Sequence, residues 1–116
     1  MDTTTQLTIA PAGGTWVVRA AGAVIGESTR ALELHEAGHS PVIYFPREDI
    51  EMAFLDPTDH STHCPRKGDA SYFSIVAKSG AIPNAVWSYE DPVPAAAGIA
   101  GYLAFYATEK VTVERL

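Results

Sequence analysis

The chain contains a single cysteine, Cys64, so it cannot form an internal disulfide, and a reducing compartment is its expected setting. No apolar run approaches the roughly 20 residues that a membrane-crossing helix needs. The opening residues, Met1-Asp2-Thr3-Thr4-Thr5-Gln6, carry no basic stretch and no apolar stretch follows, which argues against a secretory leader. Basic residues are scarce. Eight Lys and Arg against 14 Asp and Glu give a formal charge of −6, so a phosphate backbone is not the expected partner. Repeats, low-complexity tracts and composition shifts are absent as well, and the 116 residues read as one domain, with residues 1–12 expected as a flexible N-terminal segment. The absences together describe a cytoplasmic domain that binds neither membrane nor nucleic acid, with self-association left open.

What is present points to a β protein. A hydrophobic content of 47% against 19% charged residues is that of a folded globule, and a chain of this size buries roughly two-thirds of its unfolded surface. Residues 15–20 alternate Trp16, Val18 and Ala20 against Thr15, Val17 and Arg19, the period of a strand. Residues 23–28, 32–35 and 42–45 read as further short strands, the last bounded by Pro41 and Pro46. Pro46-Arg47-Glu48-Asp49 has the form of one helical turn, with proline first and acids behind it. Residues 70–77 and 85–90 make the strongest strand pair, and Ser79-Gly80 and Pro83-Asn84 supply turn chemistry between them. Residues 103–107 and 111–115 read as a last pair of strands, and residues 95–100 as a short helix limited by Gly98. The fold class is mainly β, with one or two helical turns.

Chemistry concentrates in Thr62-His63-Cys64-Pro65-Arg66-Lys67-Gly68-Asp69-Ala70-Ser71-Tyr72. Residues 48–59 hold five acids and no base, whereas residues 60–68 hold two bases, two histidines and no acid. A locally positive loop in an acidic chain suits a small anion; its plainer reading is a surface loop with ion pairs to Asp59 or Asp69. Lys67 offers a compact charge, and Gly68 lets backbone amides approach a ligand. Trp87 and Tyr89 share a strand face beside Glu90 and offer a flat wall, with Tyr44, Tyr72 and Tyr102 as further candidates.

A thiolate at Cys64 would act as a nucleophile or redox group, with His63 or His60 as proton carrier and Lys67 as electrostatic stabiliser. The plainer reading of Cys64 is a small buried hydrophobe. Zinc on His60, His63 and Cys64 is disfavoured, because neighbours in an extended segment point apart. No metal and no cofactor is expected. Dinucleotide and phosphate-loop glycine patterns are missing, as is a nucleophile elbow around any serine.

The run around Cys64, together with Pro41-Val42-Ile43-Tyr44-Phe45-Pro46-Arg47-Glu48-Asp49, Val86-Trp87-Ser88-Tyr89-Glu90-Asp91-Pro92 and Ile99-Ala100-Gly101-Tyr102-Leu103-Ala104-Phe105-Tyr106, resembles the domain-of-unknown-function 427 family. Its members are small bacterial and fungal proteins. The resemblance covers nearly the whole chain and implies a β-tent-like domain of twisted antiparallel sheets, an architecture shared with methionine sulfoxide reductase B and certain zinc-binding exchange factors. Those relatives grip zinc with two Cys-x-x-Cys pairs. With one cysteine this chain does not bind zinc in that way, and hydrophobic packing is expected in its place. A nucleotidyltransferase label is also attached to the family, yet its Gly-Ser and spaced aspartates are lacking here: Ser79-Gly80 is reversed and no aspartate pair follows.

Three functions follow in order of expectation. The first is binding of a small polar or anionic ligand between residues 64–67 and residues 87–90, by Tyr44, Lys67, Gly68, Tyr72, Trp87, Tyr89 and Glu90. The second is an enzyme using Cys64, His63 and Lys67. The third is a partner-binding module whose acidic residues 48–59 meet a basic surface.

Overall fold

The computed structural model describes residues 7–116. The fold is mainly β, with three antiparallel sheets and short 3-10 turns as its only helical elements among the described residues. Ten strands appear: β1 (Leu7–Pro11), β2 (Trp16–Ala20), β3 (Ala23–Ser28), β4 (Leu32–Glu36), β5 (Val42–Tyr44), β6 (Leu55–Cys64), β7 (Gly68–Ala77), β8 (Gly80–Ser88), β9 (Ala104–Phe105) and β10 (Val111–Arg115). They assemble in the orders β1-β4-β5, β10-β2-β3 and β6-β7-β8-β9. A bridge between Phe45 and Leu103 fastens β5 to the chain entering β9, and one between Gly26 and Ile50 fastens β3 to the turn after β5. At Gly26 a side chain would press on Ile50 Cδ1 and force Ile50 to shift, so the bare glycine suits this close crossing.

The four-stranded sheet divides the interior. Adjacent residues on a strand face opposite ways. Tyr72, Trp87 and Ala104 lie side by side across β7, β8 and β9, and the neighbouring row is Phe73, Val86 and Phe105. The second row joins Val18, Ile25, Phe45 and Val111 in the larger core. The first row belongs with Leu34, Tyr44, Tyr89 and Ile99 in a smaller cluster under β4 and β5. This smaller cluster is where the candidate site forms.

Several sequence expectations change. Residues 7–11, expected within a flexible segment, form β1, held by β4 through the pairing of Ile9 with Leu34; residues 1–6 lie outside the described residues. Residues 55–64 form the long strand β6, although its mixed side chains hide the strand period. Pro83 and Asn84 do not form a turn. They make an irregularity inside β8, where Asn84 takes a positive φ of 50° and its amide donates to Ser74 Oγ. Strands β9 and β10 do not pair with each other: β9 adds to β8 and β10 adds to β2. Residues 94–99 are 3-10 rather than α-helical, and three such turns occur in place of the one or two expected. The turn after Pro46 matches its expectation and is pinned where Ser28 Oγ and Arg30 donate to the carboxylate of Asp49.

Candidate functional site

Strands β6 and β7 form a hairpin whose turn is closed by the Lys67 amide donating to the Cys64 carbonyl at 3.1 Å. Pro65 suits the first corner position of such a turn. Alternation along β6 places Thr62 and Cys64 on one face and His63 on the other. Thr62, Cys64 and the turn residues border a cavity of about 760 Å³ together with Tyr72, Trp87, Tyr89 and Tyr106. Leu34, Glu36, His39, Val42 and Tyr44 supply the opposite wall.

The polar end is an ion-paired triad. Glu36 accepts from Lys67 Nζ at 2.8 Å with one carboxylate oxygen and from Arg66 at 2.8 Å with the other. The Glu36 and Lys67 side chains are only 10% and 12% exposed, which sets this pair apart from the ordinary surface ion pairs of the molecule. Hydrogen bonding from Lys67 leads the effects holding the Glu36 carboxyl below its usual range, with burial acting in the opposite direction. Lys67 Nζ also lies 5.9 Å from the centre of the Tyr89 ring.

Aromatic side chains build the rest. Trp87 Nε1 donates to the Tyr44 hydroxyl at 3.2 Å, and its ring packs against Tyr106 with centroids 4.4 Å apart. The Tyr72 hydroxyl bonds Thr62 Oγ1 at 2.9 Å and the Tyr106 hydroxyl at 3.4 Å. Burial pushes the Tyr44 phenol up to about 12 and also raises Tyr89; for Tyr106, burial and then the bond to Tyr72 push it up to about 12. These phenols therefore remain neutral and able to donate at any physiological pH. Trp87 and Val42 also border a second, apolar groove of about 410 Å³, so the indole is a partition between two spaces.

Of the residues singled out from sequence, Cys64, Lys67, Tyr44, Tyr72, Trp87 and Tyr89 open onto the one cavity. His63, Gly68 and Glu90 do not. His63 projects from the opposite strand face, where Nδ1 lies 2.7 Å from Asp69 on the paired strand. Gly68 is buried against Pro92 and Val93, with the Val93 amide donating to the Lys67 carbonyl, and its φ of 115° is what calls for glycine. Glu90 accepts from Arg47 at 2.9 Å. His60 stands edge-on to the Tyr72 ring with centroids 4.5 Å apart, and no group of three or more His, Cys, Asp and Glu side chains is arranged to hold a metal among the described residues. No helix of the described residues is long and apolar enough to cross a membrane.

Sequence reasoning missed Glu36, His39 and Tyr106. The signal for Glu36 was present: it stands two and four residues after Leu34 and Leu32, on the inward face of the same strand. The expected partners of the basic loop, Asp59 and Asp69, take neither Arg66 nor Lys67.

A family model described as a domain of unknown function, DUF427, matches residues 8–115. The chain belongs to the DUF427 family. No curated protein matches this DUF427 chain. The match begins in β1 and ends in β10, so both the cavity and the three sheets that build it lie inside the DUF427 region.

Proposed function

We propose that this DUF427 domain binds a small ligand that joins a flat, unsaturated portion to an anionic or strongly polar group. One observation carries the reading: a basic turn at residues 64–67 and an aromatic wall at Trp87 and Tyr89 face a common cavity. Its volume is within the range of small-molecule sites, about 300–1,000 Å³, and a mostly apolar lining with few fixed polar groups is the usual composition. Arg66 and Lys67 would hold the polar group, Trp87 and Tyr89 the flat portion, and Tyr44 a further hydrogen bond.

An enzyme built on Cys64 has less support. The thiol borders the cavity, but His63, its proposed proton carrier, is directed away and engaged by Asp69. The partner-binding reading is weaker still, since Glu48 and Asp49 are already met by Arg30.

A thermal-shift screen of small aryl and alkyl carboxylates, sulfonates and phosphates tests the proposal. Binding compounds raise the melting temperature by mass action. The rise should shrink in Lys67→Ala and Trp87→Ala and persist in Glu90→Ala, which lies outside the cavity. Equal rises in all three variants, or no stabilising compound in the set, would overturn it.

A further inference from the structure

We infer that Glu36 sets the charge class of the ligand, so that the cavity accepts a group with one negative charge, such as a carboxylate, and rejects a dianion such as a phosphate monoester. The inference rests on the binding role proposed above. The two cations that would hold an anion are already shared with an internal carboxylate: Glu36 meets Lys67 and Arg66 at 2.8 Å each. Strand β4 fixes Glu36 from one side and the turn after β6 fixes the cations from the other, so neither partner is supplied by a mobile surface chain.

Two positive charges less one negative leave a single positive charge at this end of the cavity, with histidines neutral. A monoanion brings the site to neutrality. A dianion leaves one negative charge uncompensated beside Glu36 and Lys67, whose side chains are mostly covered, and unpaired charge is costly there. Donors remain for the monoanion, because an ammonium has three N–H groups and a guanidinium five, and Glu36 takes one from each.

Calorimetric titration at pH 8 with phenylacetate and phenyl phosphate reads this preference directly. Wild-type protein should bind phenylacetate at least tenfold more tightly than phenyl phosphate. Glu36→Gln, which raises the local charge by one, should erase or reverse that ratio by tenfold or more. Arg66→Gln, which keeps the Glu36–Lys67 pair, should weaken phenylacetate at least tenfold, and it serves if Glu36→Gln does not fold. Tighter or equal binding of phenyl phosphate to wild-type, or an unchanged ratio in Glu36→Gln, overturns the inference. Indifference of phenylacetate binding to Arg66→Gln does the same. If neither probe binds while the thermal screen yields a phosphate monoester as its stabilising compound, the charge rule fails and the cavity reading stands. If nothing binds, both fail.

Discussion

Lys67 Nζ lies 2.8 Å from Glu36 Oε1, joining the turn after β6 to the end of β4 across 31 residues of chain. The contact ties the two walls of the cavity together at its polar end. A lysine and a glutamate this well covered depend on each other, since either one alone would be a poorly solvated charge.

Removing the carboxylate should therefore cost more than an ordinary surface change. Glu36→Ala is expected to lower unfolding stability by about 2–3 kcal/mol, because Lys67 loses its partner. The folded-state pKa of Glu36 is depressed below its ordinary value of 4.5. Its stabilising contribution is accordingly present above that pH and is lost as pH falls through the lower folded value. Denaturant titrations between neutral pH and pH 3 should show a steeper acid loss for wild-type than for Glu36→Gln; parallel curves would contradict this.

Tyrosine ionisation gives an independent check on the cavity wall. Burial raises Tyr44, Tyr89 and Tyr106 of the five tyrosines. Their neutral forms favour the folded state, a contribution complete below about pH 10 and lost as pH rises through the folded values. The ultraviolet signal of tyrosinate should thus reach no more than two residues' worth near pH 10.5, with the others appearing only toward pH 12 or on unfolding. Five residues titrating together near pH 10 would mean that the wall is solvated.

His63 makes the opposite case. Its pair with Asp69 is well exposed, at 69% and 79%, so screening by water leaves it little energetic weight. His63→Ala should change stability by less than about 0.5 kcal/mol. It should also leave the rate of Cys64 alkylation unaltered at neutral pH, measured by intact mass. A severalfold fall in that rate would restore His63 as a partner of the thiol.

Gly68 carries a backbone requirement rather than a ligand contact. A side chain at φ 115° is strained, although a Cβ there would meet Pro92 at no less than ordinary contact distance. Gly68→Ala is expected to destabilise the fold by about 1–3 kcal/mol, the usual cost of such a conformation. A neutral effect on the melting temperature would show that the hairpin relaxes freely.

The strands were legible where extended-chain residues run between turn signals: residues 23–28, read as a strand between Gly22 and Thr29-Arg30, coincide with β3. Strand β6 was not, because a solvent-facing edge strand carrying Asp56, Asp59, His60 and His63 has no apolar period to read. Cys64, Lys67, Trp87 and Tyr89 were recognisable as types of residue that line a site. Their partners were less so. Glu36 is 31 residues from Lys67, and local spacing carries no record of a contact made between separate sheets. His63 does not share the cavity with Cys64 for a simpler reason: neighbours on an extended strand face opposite ways.

The most direct measurement follows the two indole N–H resonances by NMR during titration with phenylacetate. Trp16 donates to the Gly13 carbonyl outside the candidate site, whereas Trp87 donates to Tyr44 inside it. The expected result is a saturable shift of the Trp87 signal that is lost in Lys67→Ala, with Trp16 unmoved. A silent Trp87 indole, or equal drift of both signals, would contradict it.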